Sequence, residues 1–475
     1  VTGNTTGAGT LTLNDSTYTG GGHLSMTGTV TIGTSGVITG VDQLGESGGT
    51  ITCTGSPTLG FERWRQPTAN WTPATSTIKL EGHTRAFQTN GYGVPYNLEI
   101  DNSGNTNEMS STVEVSNNLT ITAGTLDTSS SDYALTVTKQ VRMNGGTLTL
   151  NGSTCEFGNV WYAATSTING NTSNIELNSG DVSGWIWYQT GGTFNYDTST
   201  VEVKENGKYI RSNFYNLKIE CPAEANRCIW RPLTGGATDT MTVHNDLTIV
   251  EGGFDSDGIA NVMVVTNDVS VESGGHLGRY RSDSGSPETG ARTFGSLTIT
   301  GTYYATSGVT SVLDGNFNNS GTFTHNSGKV LLRAHDKYIN NTGTVEPVFY
   351  DLQLDQSPTV AAGDIQCVDG KNITIENTLS TLTTGRLRPA TMTVTLGTTT
   401  SAGNILTHAA GNDITPAGHN ETCVFQGASS LYPCTIGTYQ PFEFGGKTGE
   451  NWQFKWLDFQ VALDTDTGGS NASTI

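Results

Sequence analysis

Residues 95–100 of this 475-residue chain read Pro-Tyr-Asn-Leu-Glu-Ile, and the phrase returns as Phe-Tyr-Asn-Leu-Lys-Ile at 214–219 and Phe-Tyr-Asp-Leu-Gln-Leu at 349–354. The tyrosines stand 119 and 135 residues apart (215 − 96 and 350 − 215). Other landmarks follow in the same order. Val115-Ser-Asn-Asn-Leu119-Thr-Ile121 matches Val243-His-Asn-Asp-Leu247-Thr-Ile249, with Asn372-Ile373-Thr374-Ile375 as a third copy. Leu135-Thr-Val137 is matched by Met263-Val-Val265 and Met392-Thr-Val394. Gly192-Thr193-Phe194 leads to Lys208-Tyr209-Ile210 as Gly321-Thr322-Phe323 leads to Lys337-Tyr338-Ile339. Compositional bias does not order landmarks in this way. A chain so built stacks one small unit on the next.

A shorter period lies inside the unit. Leu119 precedes Val141 by 22 residues (141 − 119), Leu126 precedes Leu148 by 22 (148 − 126), and Leu247 precedes Val269 by 22 (269 − 247). Each piece holds two or three alternating apolar residues and then Gly, Asn, Ser or Asp. Alternation with period two marks strands with one buried face, and Gly and Asn supply the positive φ of tight corners. The expected fold is all-β, a parallel β-solenoid (β-helix) of ~22-residue coils grouped in ~125-residue repeats, with Leu119, Val141, Leu247 and Val269 on one core line. A string of small antiparallel sandwiches is the competing fold, but its strands would be longer and would not recur at 22. The solenoid also accounts for the composition. Only 34% of residues are hydrophobic and 14% charged, against about 45–50% and about 25% in ordinary globular domains; a narrow tube needs little apolar mass.

Three regions are expected: thin N-terminal β coils at 1–60, the repetitive solenoid at 61–437 with units beginning near 96, 215 and 350, and an aromatic segment at 438–475. The last holds Phe442, Phe444, Trp452, Phe454, Trp456 and Phe459, and reads either as a cap over the open strand edge or as an attachment surface. The chain opens at Val1 without Met or a signal-peptide pattern, so a removed leader or a longer parent chain is expected. A net charge of −20 with 23 scattered basic residues argues against nucleic acid as a partner. No apolar run reaches the roughly 18–20 residues that span a bilayer. Seven cysteines without a CxxC pair are no disulfide framework; Cys221 with Cys228, and Cys423 with Cys434, could form local staples or remain thiols. Asn-x-Ser/Thr sites such as Asn70, Asn118, Asn151, Asn171, Asn372 and Asn420 would accept glycans in a glycosylating pathway.

Chemistry-bearing patterns are few. The eight histidines show no metal-ligand spacing, and no nucleophile elbow, Walker loop or dinucleotide fingerprint occurs. No catalytic residue, cofactor or established metal site is therefore expected. Asp255 and Asp257, in Phe254-Asp255-Ser256-Asp257-Gly258, read as a corner turn, with calcium ligation and acid–base catalysis as lesser readings. Asp127 and Asp132 occupy the same place one unit earlier. Aromatics are crowded at Trp161 and Tyr162 and at Trp185, Trp187 and Tyr188. Alternation along Trp185-Ile186-Trp187 would aim both indoles to the same side, as a sugar platform, as core, or as a subunit contact. Trp452 and Trp456 are the C-terminal candidates for such contacts.

The Tyr-Asn-Leu-x-Ile, Asn-Leu-Thr-Ile-x-x-Gly-Thr-Leu-Asp and Gly-Thr-Phe…Thr-Val-x-Val phrases resemble a broad group of repetitive β-helical surface proteins, found as bacterial adhesins and as phage tail fibres and other virion appendages. The resemblance covers roughly residues 71–400 and carries no catalytic motif. It implies a non-enzymatic extracellular structural or adhesion protein on a virion or cell surface. The expected role is a fibre or decoration assembled with copies of itself, with cell-surface glycans as possible ligands. A cell-surface adhesin or filament subunit, and a polysaccharide-depolymerising tailspike-like β-helix, are the alternatives.

Overall fold

In a computed structural model, residues 5–7, 10–26, 28–41, 50–62, 70–82, 94–163, 165–178, 184–205, 208–222, 227–231, 239–256, 260–278, 288–312, 315–333, 337–355, 364–368, 373–382, 386–388, 393–396, 404–405 and 422–425 are described. The aromatic segment at 438–475, with Trp452 and Trp456, lies outside them, as do Asp257 and Cys434. Among the described residues every regular element is a strand and none is a helix, so no helix is long and apolar enough to cross a membrane. The strands stack in parallel as a β-solenoid with turns roughly 22 residues apart. The chain divides into two compact units, Val1–Gly308 and Val309–Ile475.

In the first unit each turn has three strands, and each strand pairs in parallel with its equivalent in the next turn. One turn runs through 113–115, 119–121 and 125–127; the next runs through 135–137, 141–143 and 147–149, in register with it. The tube therefore has three faces. The first face stacks Leu98, Leu119, Val141, Val160, Trp187, Ile210 and Trp230. The second stacks Leu126, Leu148, Ile168 and Phe194. The third stacks Val113, Leu135, Cys155, Ile175, Val201, Leu217, Leu247, Val269 and Leu297. All of these side chains are buried. Parallel pairing repeats at about 4.8 Å, so each inward side chain lies against the one above it. Coil length varies around its mean: Val201 to Leu217 takes 16 residues (217 − 201), and Leu217 to Leu247 takes 30 (247 − 217). Corners absorb the difference without breaking the stack.

Leu119 and Val141 pair directly, as do Leu247 and Val269, and all four are buried as expected. The two pairs do not share one line, however. Leu119 and Val141 lie on the first face, and Leu247 and Val269 on the third. Five full turns carry the chain from Leu98 to Ile210 on the first face. Leu217, the repeat partner of Leu98, then falls on the third face between Val201 and Leu247. The sequence repeat is thus not a whole number of turns, and equivalent motifs look out in different directions.

The repeated phrase recurs because it builds the same corner. Asn97 Oδ1 accepts from Asn117 Nδ2 at 2.8 Å and from the Asn118 amide at 3.4 Å. Asn216 Oδ1 accepts from Asn245 Nδ2 at 2.8 Å and from the Asp246 amide at 3.3 Å. In the second unit Asp351 Oδ1 accepts from Asn377 Nδ2 at 2.7 Å, and Leu352 stacks between Val330 and Leu379. The third copy of the stacked segment is therefore centred on Asn377 and Leu379, and Ile375 instead pairs with Phe349.

Corners use the left-handed region where the sequence supplies residues that tolerate it. Asn151 and Asn171 have φ of 49° and 48°, and Asn171 Nδ2 donates to Asn151 Oδ1 at 3.2 Å. Gly146 has φ of 63°, and a Cβ there would lie 2.5 Å from the Gly124 carbonyl oxygen. Gly146→Ala is expected to destabilise the protein by about 1–3 kcal/mol, read as a lowered midpoint in denaturant unfolding.

Candidate functional site

The crowded aromatics separate into a core set and a surface set. Trp161 and Tyr162 are consecutive in the strand Thr154–Tyr162, so they point to opposite sides. Trp161 is half-buried outside, and Tyr162 is buried in the tube. The expectation that Trp185 and Trp187 share a side is corrected. A β-bulge between them lets Trp185 pair with Tyr209 while Trp187 pairs with Ile210. The extra residue breaks the alternation, leaving Trp185 half-buried outside and Trp187 wholly buried.

Inside, Trp187 packs against Phe194 with ring centres 4.8 Å apart and meets Phe214 and Tyr162 edge-on. Its Nε1 donates to Tyr162 Oη at 3.4 Å, and that hydroxyl also lies 3.3 Å from Ser212 Oγ. Burial pushes the Tyr162 pKa upward, so it stays a neutral phenol.

Outside, the first face carries a continuous row. Arg142, Trp161, Tyr188 and Arg211 are register partners in four successive turns, and Arg231 follows the strand that stacks on 208–211. The Arg142 guanidinium lies 4.6 Å over the Trp161 ring, Arg211 lies 5.6 Å over Tyr188, and Arg231 lies 4.6 Å over Tyr209. Trp185 fills the space between, 4.3 Å from Tyr188 and 5.4 Å from Tyr209. Such contacts hold an arginine over its ring. Strand residues 140–143, 159–162, 185–189, 208–211 and 227–230 contain Arg142, Lys208, Arg211 and Arg227 but no Asp or Glu.

The other two faces of the same turns differ. On the second, Thr147, Thr167 and Thr193 form one row and Thr149, Asn169 and Asn195 another. Asn195 Nδ2 donates to Asn169 Oδ1 at 2.8 Å, and Asn169 Nδ2 donates to Thr149 Oγ1 at 3.2 Å. On the third, Glu156, Glu176, Glu202 and Lys218 are stacked partners, with Glu114 two turns before Glu156. Lys204 Nζ lies 2.8 Å from Glu176, and Lys218 Nζ lies 2.8 Å from Glu202 and 2.9 Å from Glu220. Burial and a hydrogen bond with Glu220 raise the Glu202 pKa against the pull of Lys218. Glu220 is held at about 2 by that hydrogen bond and by Lys218.

The corner expected at Asp255 is also corrected. Asp255 lies in the strand Leu247–Ser256 and is buried. Arg227 Nη1 donates to its Oδ2 at 2.9 Å, so a guanidinium occupies the carboxylate. Beside it, Glu288 Oε1 accepts from the Ser256 amide at 3.1 Å, and buried Arg292 pairs with Glu288. Asp127 and Asp132 do form the expected corner: the Ser129 amide donates to Asp127 Oδ1 at 2.7 Å and the Gly152 amide to Asp132 Oδ1 at 2.8 Å. Cys221 and Cys228 are free, buried thiols. Among the described residues no group of three or more His, Cys, Asp or Glu side chains is placed to hold a metal ion.

Sequence reasoning found the surface aromatics and missed the arginines that cover them. The signal was present: once coils are aligned by their inward Leu and Val, Arg142, Trp161, Tyr188 and Arg211 fall in one column. No protein-family model, curated protein or solved structure matches the chain.

Proposed function

We propose that this chain is a non-enzymatic structural and adhesion protein of an extracellular surface. It serves as a virion appendage or shell component, a fibre or decoration that assembles with copies of itself. One observation carries the reading: the same turns of a rigid parallel stack present three chemically distinct outer faces, one of arginine on aromatic rings, one of threonine and asparagine, and one of glutamate with lysine. A ladder fixed on all three sides offers extended surface, which suits packing against neighbours and contact with glycans. The choice of a virion over a cell surface draws on the likeness of repeat style to phage tail fibres. Sedimentation of the native full chain tests the assembly. An oligomer at micromolar concentration is expected, and a stable monomer would contradict it.

A second reading, polysaccharide cleavage, is favoured by the Glu202–Glu220 pair, two carboxyl groups from successive coils brought together on Lys218. It requires release of reducing ends or unsaturated sugars from polysaccharide that Glu202→Gln abolishes. The proposed structural role requires no turnover in either protein.

A further inference from the structure

We propose that the arginine–aromatic face is the contact surface for a second copy of this chain, and that it seats against the glutamate row on the third face of that copy. This deepens the self-assembly reading above, on which it rests, by naming the surfaces that meet.

Charge decides where two copies can approach. Each chain carries 43 acidic against 23 basic residues, a net charge of −20. Copies therefore repel over most of their surface, and association needs a place where basic residues are concentrated. The first face is such a place: no carboxylate occurs in its strand residues from 140 to 230, while Arg142 and Arg231 stand exposed at either end of the aromatic row. The third face is the acidic complement, with Glu114 and Glu156 exposed and Glu176 half-buried beside Lys204.

Spacing agrees as well. Glu156, Glu176 and Glu202 belong to the turns that place Trp161, Tyr188 and Arg211 on the first face. Both rows rise by the same strand spacing, about 4.8 Å, because one ladder generates both. Two copies standing side by side with parallel axes and offset by one turn, about 4.8 Å, would set Arg142, Arg211 and Arg231 opposite Glu114, Glu176 and Glu202.

The chemistry of the arginines fits carboxylates. A guanidinium stacked over a ring keeps its N–H donors in its own plane, where they match a carboxylate bidentately. Stacking on Trp161 and Tyr209 also fixes the side chains beforehand, which lowers the ordering cost of the contact. The same stacking covers ring faces on which a neutral sugar would otherwise lie. A contact between two different faces is heterologous, so it propagates into a closed ring or an open filament.

The test uses the full chain in two charge-reversed forms, Arg142→Glu with Arg231→Glu and Glu114→Lys with Glu156→Lys. Far-UV circular dichroism checks the fold, and the Arg142→Gln with Arg231→Gln form substitutes if the first does not fold. Sedimentation is expected to show the unaltered protein associated and weakened by salt. Each reversed form alone should bind itself roughly 100-fold more weakly, and an equimolar mixture of the two should recover association. If the unaltered protein associates and the reversals change nothing, these faces are not the contact while self-assembly stands. A monomeric unaltered protein overturns both. Retention of the unaltered protein on immobilised polygalacturonate, lost with the arginine reversal while self-association is unchanged, would make this face a glycan site and overturn the proposal.

Discussion

Trp187→Ala is expected to cost about 3–5 kcal/mol, the range for removing a large buried aromatic. The solenoid core is one or two residues wide per face, and Trp187 fills it between Val160 and Ile210 while touching Tyr162, Phe194 and Phe214. A globular core could shift several side chains into the cavity, whereas here each neighbour is tied by its own strand to the turns above and below. The loss should therefore spread along the stack. Hydrogen exchange should show weakened protection in strands 160–162 and 208–211 as well as 185–189. Trp161→Ala, which removes a half-buried outer ring from the same face, is expected to cost much less. Equal losses for the two would mean that the assignment of inner and outer rings is wrong.

Arg292→Met is expected to cost about 3–5 kcal/mol at pH 7, the range for breaking a buried ion pair from one side. Glu288 would lose its guanidinium partner inside the tube while Asp255 kept Arg227. The pH dependence distinguishes this from a packing loss. Burial acts to raise the Glu288 pKa, but the Arg292 charge, the Ser256 amide and the hydrogen bond with Asp255 outweigh it and hold the carboxyl below its ordinary value. A lowered folded-state pKa gives stability that is present above the unfolded value, about 4.3, and is lost as the pH falls through the folded one. In the variant burial acts on Glu288 without Arg292, its pKa rises, and the protein gains stability on acidification through that range. The gap between the two proteins should thus be widest near neutrality and narrow toward pH 4, as read by denaturant midpoints at each pH. A gap independent of pH would show that the pair contributes shape alone.

Much of the architecture was legible because a solenoid writes its period into the sequence. The 22-residue step from Leu119 to Val141 is a direct strand pairing, and the Tyr-Asn-Leu phrase is an asparagine ladder at a corner. What could not be read was the face on which a residue lands. Coils of 16 to 30 residues (217 − 201 and 247 − 217) shift the phase between repeats, so Leu98 and Leu217 face different sides. Alternation also fails at bulges, which leave no mark in composition; Trp185 and Trp187 were separated by one. Asp255 illustrates a third limit. A sequence of Asp, Ser and Gly reads as a turn, and the Arg227 guanidinium and the Glu288–Arg292 pair that help make its burial tolerable are distant in the sequence. The arginine row was hidden for a related reason, since its members are 19 to 27 residues apart (161 − 142 and 188 − 161) and become neighbours only after the coils are aligned.

Under the role proposed above, this chain works as a repeated part of an exterior assembly. Electron microscopy of the native material tests it most directly, at a resolution that shows strand separation along the solenoid. Identical copies are expected side by side on the outside of a particle or appendage, axes parallel, with the turns of residues 140–230 at the contact. Single, unassociated copies, or copies whose contact leaves both the arginine face and the glutamate face open to solvent, would contradict it.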